Sequence, residues 1–547
     1  MAAHVGFGPR LKTQNKNNKN LKSRKQSGIA MKYLKLKATT FLIAASLASP
    51  LAAQEAGGRL DIVVQPEPPG LMLGLVQNGP TQLVAGDIYE SLLRYDGDLN
   101  PMPSLAKSWE ISEDGLTYTF KLNEGVKWHD GEPFTAEDVV FSADVFLRET
   151  HARLRASLAY VESITAPDPM TVVFKLKEPF GPFINAFENG TMPIVPKHIY
   201  EGTDFANNPA NANPIGTGPF KFKEWVKGSH IHLVKNEDYY VDGLPYLDEV
   251  YYRVIPDAAA RAVAFETGEV DVLPGGSVEN WDIPRLAEMD GVCVTEKGWE
   301  FLAPLAWMWL NNREGPTANE KFRQAVMYAM DREFMRDVVW NGYGKVATGP
   351  IASSTNFYSD DVTIYDHNPE KAKELLAEMG YDGEPVSILP LPYGETWQRW
   401  AEAVRQNLSE VGINVDIDSA DVAGWNEKTS QWDYDMAFTY LYQYGDPALG
   451  VSRNYTADRI KKGSPWNNVE GYENPSLDEK WAAAATMVTP EEREAAYLEI
   501  QKEIVDDVPV AWMQELTFPT IYRCNVNDLV TTAIGINDGP RNAWIEK

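Results

Sequence analysis

Between residues 386 and 417 the chain reads strand, helix, strand. Residues 386–391 are a short apolar run, 397–411 read as a helix closed by Gly412, and 413–417 are strand-like again. A helix set between two strands at this spacing predicts a βαβ-like unit, so the chain cannot be purely helical or purely β. The same mixture recurs elsewhere. Strands are expected at 60–65, 118–122 and 171–176, the last two with period-two alternation between turn residues. Thr135 reads as the N-cap of a helix running to about Leu147, with Glu137 and Asp138 in its first turn. Asp138 stands where a capping box usually has Glu or Gln. Helices are expected at 258–267, 321–340, 369–379 (ended by Gly380) and 490–505, and strands at 270–273, 510–513 and 520–524. The fold class is α/β throughout.

The 547 residues exceed a single typical domain, so two or three packed units are expected. Hydrophobic residues make up 44% and charged residues 23%, which supplies large cores and rules out disorder over most of the length. Fifty Lys and Arg against 78 Asp and Glu give a net charge of −28. Residues 1–53 hold ten basic residues and no acidic one, leaving 40 basic and 78 acidic residues, or −38, beyond them. So acidic a body repels phosphate backbones, which argues against nucleic acid and anionic membrane surfaces as partners.

The N-terminus reads as an export sequence. Lys32, Lys35 and Lys37 form a positive region, 38–48 are apolar, and Ala52 and Ala53 precede Gln54. The apolar run is shorter than the roughly 20 residues that span a bilayer. Cleavage after Ala53 is expected. The Lys- and Asn-rich residues 1–30 are either a basic tail or an extension ahead of a start at Met31. With no Cys near the cleavage site a lipid anchor is not expected, and the mature chain is expected to be soluble in the periplasm.

Motifs of catalysis are absent. The sequence has no phosphate-binding GxxxxGK[ST], no HExxH, no GxSxG and no CxxC. His230 and His232 face one side of an expected strand, but no further ligand stands near in sequence, so a surface pair is expected rather than a metal site. Cys293 and Cys524, 231 residues apart, are either a disulfide, which an oxidising compartment permits, or two buried thiols. Aromatic residues cluster around Trp299–Trp309, Tyr393–Trp400 and Tyr440–Tyr444, offering faces that stack on sugars or peptide side chains. Trp309 and Trp400 are expected in the core. Tyr442 and Tyr444, beside the turn Gly445-Asp446-Pro447, are expected in a cleft.

Five stretches together resemble one family. They are residues 88–142, 214–222 (PIGTGPFKF), 322–333 (FRQAVMYAMDRE), 368–381 (NPEKAKELLAEMGY) and 432–447 (WDYDMAFTY…GDP). The chain resembles the extracellular solute-binding proteins of peptide/nickel ABC importers, over essentially all of residues 59–547. The resemblance implies a two-lobe periplasmic-binding-protein clamp with an extra subdomain in lobe I. Lobe I would take 54–85, 211–309 and 515–547, the extra subdomain 86–210, and lobe II 310–514. Crossings near 309 and 515 would form a hinge that closes on a buried solute. It also implies a monomer that serves an inner-membrane ABC permease, with no cofactor and no catalysis.

The departures bear on the ligand. Dipeptide binders of the family hold the ligand's amino group with an Asp three residues before the turn Asp, and its carboxylate with an Arg before a Pro-Tyr pair. Here Gln443 and Leu391 stand at those places. Burying an unpaired ammonium or carboxylate is costly, so a zwitterionic dipeptide is disfavoured. A longer or modified peptide and a neutral oligosaccharide or glycoside both stay open, followed by another small metabolite, with a secreted hydrolase a distant alternative. Expected pocket residues are Tyr393, Trp397, Trp425, Tyr442, Gln443, Tyr444 and Asp446, although Asp446 could instead cap its own turn.

Overall fold

The computed structural model describes residues 54, 56–464 and 466–547. The basic tail, Met31 and the export sequence up to Ala53 lie outside the described residues.

Three sheets organise the chain. The first has seven strands in the order Val292–Thr295, Thr520–Arg523, Val272–Leu273, Arg59–Val64, Glu249–Val254, His230–Lys235 and Phe220–Val226. Arg59–Val64 lies at its centre, parallel to Glu249–Val254 and Val272–Leu273, and every residue after Arg59 is buried. A central strand covered on both faces needs a continuous apolar run, and LDIVV supplies it. The second sheet has six strands in the order Lys345–Val346, Val510–Glu515, Leu305–Leu310, Met436–Leu441, Val386–Leu389 and Val415–Ile417. The third is an antiparallel sheet of Ala106–Ile111, Thr117–Leu122, Thr171–Leu176 and Val161–Asp168.

The order of visits explains the architecture. The chain starts in the seven-stranded sheet, leaves it to build the four-stranded one, and returns by Phe220. It then crosses to the six-stranded sheet at Leu305 and comes back after Glu515. The two crossings run side by side: Leu305 pairs with Glu515, and the Leu516 N–H donates to the Pro304 carbonyl at 2.8 Å. Each large sheet has its own core. One gathers residues such as Leu60, Ile88 and Phe120, the other residues such as Trp309, Phe322 and Trp512.

The βαβ unit is present. Val386–Leu389 is parallel to Val415–Ile417, with the helix Glu395–Glu410 between them. The helix Pro369–Met379 begins on the Asn368 side chain, which accepts the Lys371 N–H, and ends at Gly380 in the left-handed region (φ 74°). Asp138 does complete a capping box, accepting the Thr135 N–H at 2.9 Å.

Two expected helices are interrupted. The stretch 321–340 splits into Glu320–Ala329 and Arg332–Val339, because Asp331 turns its carboxylate onto the Phe334 N–H (3.0 Å) and starts a new helix. The helix from Ala136 passes at Phe141–Phe146 into a wider π-turn. There Ser142 donates its hydroxyl to the Asp138 carbonyl at 2.6 Å and accepts the Val195 N–H at 2.9 Å.

Cys293 and Cys524 form a disulfide, with Cα atoms 5.0 Å apart. It joins the edge strand Val292–Thr295 to the end of its neighbour Thr520–Arg523. His230 and His232 share a strand; His232 Nε2 lies 2.7 Å from Glu249 and its ring stacks on Tyr251. Among the described residues no group of three metal-ligating side chains is assembled.

Candidate functional site

The strand Met436–Leu441 lies inside the six-stranded sheet, with a neighbour on each side. From its end the chain runs into the turn at Tyr442–Asp446. Tyr444 takes the left-handed backbone conformation (φ 54°) and Gly445 follows at φ 71°. A tyrosine in that region carries strain that surrounding contacts must hold in place. They do so on both flanks. Gln443 is buried; its N–H donates to the Leu302 carbonyl (2.7 Å) and its amide donates to Pro350 (3.0 Å). The amide oxygen accepts the Ala352 N–H (2.9 Å) and the Thr355 hydroxyl (2.8 Å). Asp446 accepts the Ala448 N–H and meets the Arg493 guanidinium through two bonds of 2.8 Å.

With 443 and 446 tied down, the residues between and before them face open space. Tyr440, Tyr442 and Tyr444 line two adjoining cavities of about 1100 and 750 Å³. Tyr393 and Arg153 line both as well, so the cavities form one cleft with a tyrosine wall along it. Leu391 lines the larger cavity, and Trp397 lines the smaller one and stacks on Tyr440.

The expected pocket residues therefore divide. Tyr393, Trp397, Tyr442 and Tyr444 come together on the cleft. Gln443 and Asp446 build the turn beneath it, and the capping alternative for Asp446 is the arrangement found. Trp425 packs on Trp309 and Trp466, with 1% of its surface exposed.

Sequence reasoning passed over the cations. Arg153 lies over the Tyr444 ring at 3.9 Å, donates to the Thr191 hydroxyl at 2.9 Å and sits 3.7 Å from the buried Glu188 carboxylate. Arg453 and Arg459 line the larger cavity with it. Arg153 and Arg453 are 300 residues apart, so no local spacing links them. Only their occurrence near aromatic residues in so acidic a chain could have drawn attention to them.

Just before Arg153, His151 caps the helix Ala152–Leu158. Its Nδ1 accepts the Leu154 N–H (3.1 Å) and its Nε2 lies 3.2 Å from the Gly190 carbonyl, which selects the neutral ring with Nε2 protonated. Burial, and then the neighbouring Arg153 charge, push its pKa from 6.5 down to about 3. Unfolded His151 takes up a proton below pH 6.5 and folded His151 does not. Stability is therefore full above pH 6.5 and is lost as pH falls toward 3, by about 2 kcal/mol at pH 5. His129, pushed by burial to about 4, acts in the same direction. The melting temperature should fall between pH 6.5 and 4, and His151→Gln should make that slope shallower. An equal slope in the variant would assign the acid sensitivity elsewhere.

Comparison with known proteins fits this geometry. The family model "Bacterial extracellular solute-binding proteins, family 5 Middle" matches residues 100–462. The oligopeptide-binding protein AppA of Bacillus subtilis is 31% identical over 453 residues, covering 78% of this chain and 80% of that protein. The glutathione-binding protein GsiB of Pectobacterium atrosepticum is 29% identical over 443 residues, covering 78% of this chain and 83% of that protein. The structure of Bacillus subtilis AppA in complex with a nonapeptide superposes with a TM-score of 0.74 at 26% identity, covering 90% of this chain and all of that one. The architecture is thus the two-lobe clamp of periplasmic binding proteins.

Proposed function

The chain belongs to the bacterial extracellular solute-binding proteins of family 5, and from that premise we propose that it captures a peptide-class solute between its lobes and delivers it to the permease of an ABC importer. The observation that carries this reading is the cleft: about 1100 Å³ in its larger part, walled by Tyr440, Tyr442 and Tyr444. That space exceeds what a dipeptide fills and lies just above the range of about 300–1,000 Å³ usual for small-molecule sites. Leu391 on its wall and the fully engaged Gln443 beneath it are both neutral, which favours an extended peptide over a dipeptide gripped at both ends. The relatives' names, oligopeptide-binding and glutathione-binding, support the same class.

In this reading the protein binds without turnover and works as a monomer. Residues 1–53 are removed on export to the periplasm. Among the described residues no helix is long and apolar enough to cross a membrane. Lobe I comprises 54–85, 211–304 and 516–547, the extra subdomain 86–210 and lobe II 305–515, five residues earlier at one boundary and one later at the other than the resemblance implies, because the strands Leu305–Leu310 and Val510–Glu515 belong to the six-stranded sheet. The paired crossings at Pro304 and Leu516 are the hinge.

Thermal unfolding of the mature chain with dipeptides through nonapeptides, and separately with neutral oligosaccharides, tests the proposal. A solute at a hundred times its Kd stabilises by about 2.7 kcal/mol. The expected result is a shift with peptides of four or more residues and none with sugars. A shift with sugars alone would overturn the peptide reading and leave the oligosaccharide alternative.

A further inference from the structure

The larger cavity carries an arginine, Arg453, for which the described residues supply no ion-pair partner. Arg453 follows the tyrosine turn on a short 3-10 segment, Ser452–Asn454, and lines the cavity half-buried. Its Nε is fully buried without a hydrogen-bond partner, and no ion pair reaches its guanidinium among the described residues. The other charges on the cavity wall are already used. Arg459 pairs with its neighbour Asp458 at 3.0 Å, and Asp478 accepts the Ala457 N–H. Arg153 faces the buried Glu188, but only at 3.7 Å, and its own Nε is also buried without a partner. The nearest charges to Arg453 are therefore of its own sign: burial lowers its pKa most, Tyr444 opposes this next, and Arg153 and Arg459 lower it further.

A cation half-withdrawn from water, without a counter-charge and beside other cations, is costly to keep. That a chain of net charge −28 places one on its cleft wall calls for a partner that is not part of the chain. We propose that Arg453, with Arg153 beside it, is an anion subsite of the cleft, and that the bound solute places a carboxylate there. The inference rests on the peptide reading above and deepens it. The charge missing at Leu391 is supplied from a different segment, in a planar guanidinium suited to bidentate carboxylate contact. The carboxylate can be a peptide C-terminus or an acidic side chain.

The test uses the mature chain and its Arg453→Met variant, which keeps an apolar stem of similar length. Calorimetry compares tetraalanine, tetraalanine amide and Ala-Glu-Ala-Ala amide, with citrate as a non-peptide anion. Losing one partner of a half-buried charged contact costs about thirtyfold or more in affinity. The expected result is that tetraalanine or the Glu-bearing amide binds the natural chain at least about thirtyfold more tightly than tetraalanine amide, and that the variant loses this preference. Whichever of the two acidic peptides is preferred identifies the source of the carboxylate. Equal binding of all three peptides would overturn the anion subsite and leave the peptide reading standing. Citrate binding that depends on Arg453, with no peptide bound, would keep the subsite and overturn the peptide reading. Melting of the ligand-free proteins gives an independent readout. The variant should melt at the same or a higher temperature, since it loses an uncompensated charge. A clear drop would make Arg453 a structural residue and overturn the proposal.

Discussion

Asp446→Ala will cost about 3–5 kcal/mol of folding stability, the usual result of stranding a buried charge. Asp446 and Arg493 are exposed by 2% and 6%, and both carboxylate oxygens are engaged at 2.8 Å. Arg493 also lies over the Phe357 ring at 4.6 Å and reaches the Tyr497 hydroxyl at 3.2 Å, so it has no easy route back to water. The urea midpoint should drop with little change in slope. The double variant Asp446→Leu/Arg493→Met should recover most of the loss, because a well-packed apolar pair is often no worse than a buried ion pair. A variant Asp446→Ala with the natural midpoint and lost peptide binding would return Asp446 to the binding surface.

Removing the disulfide is the second large change. Cys293 and Cys524 are separated by 231 residues. For a loop of that length the chain-entropy relation gives about 5 kcal/mol, and native disulfides typically contribute about 2–5 kcal/mol. The expected result for Cys293→Ser/Cys524→Ser is a loss within that range, read from urea unfolding of natural and variant chains without reductant. Equal midpoints would mean that the ladder between Val292–Thr295 and Thr520–Arg523 holds the edge unaided.

Both results bear on what the sequence made legible. Local rules sufficed where the determinants are local. Thr171–Leu176 appears with the expected bounds, as does Pro369–Met379 with its Gly380 stop. They failed at Met330-Asp331, where a single carboxylate prefers the N–H three residues on to its place in a longer helix. Part of the cleft was also legible. Tyr440, Tyr442 and Tyr444 recur at every second residue at the end of a strand and into the turn after it, with Gln443 between two of them. Positional matching to the family put Gln443 among the pocket residues, whereas its bonds to Pro350, Ala352 and Thr355 hold it in the turn beneath the cleft. Trp425 could not be placed by pattern, since an aromatic residue on a helix serves a core as well as a cleft. The cations were out of reach for a different reason. Arg153 and Arg453 become neighbours only when two distant segments meet, and that no ion pair reaches Arg453 among the described residues is a property of the folded cleft.

The position of the disulfide has a topological consequence. Every strand of the six-stranded sheet, from Leu305 to Glu515, lies between Cys293 and Cys524. The bond therefore closes a covalent ring whose circumference contains that entire sheet and its helices, with the ring's neck at the edge of the other large sheet. A single peptide-bond cut anywhere within the ring leaves one connected molecule, with new ends but the same set of strands. Such a nicked protein would run as one chain until reduced and as two afterwards. Exposed loops inside the ring can thus be opened by a protease without separating the two walls of the cleft.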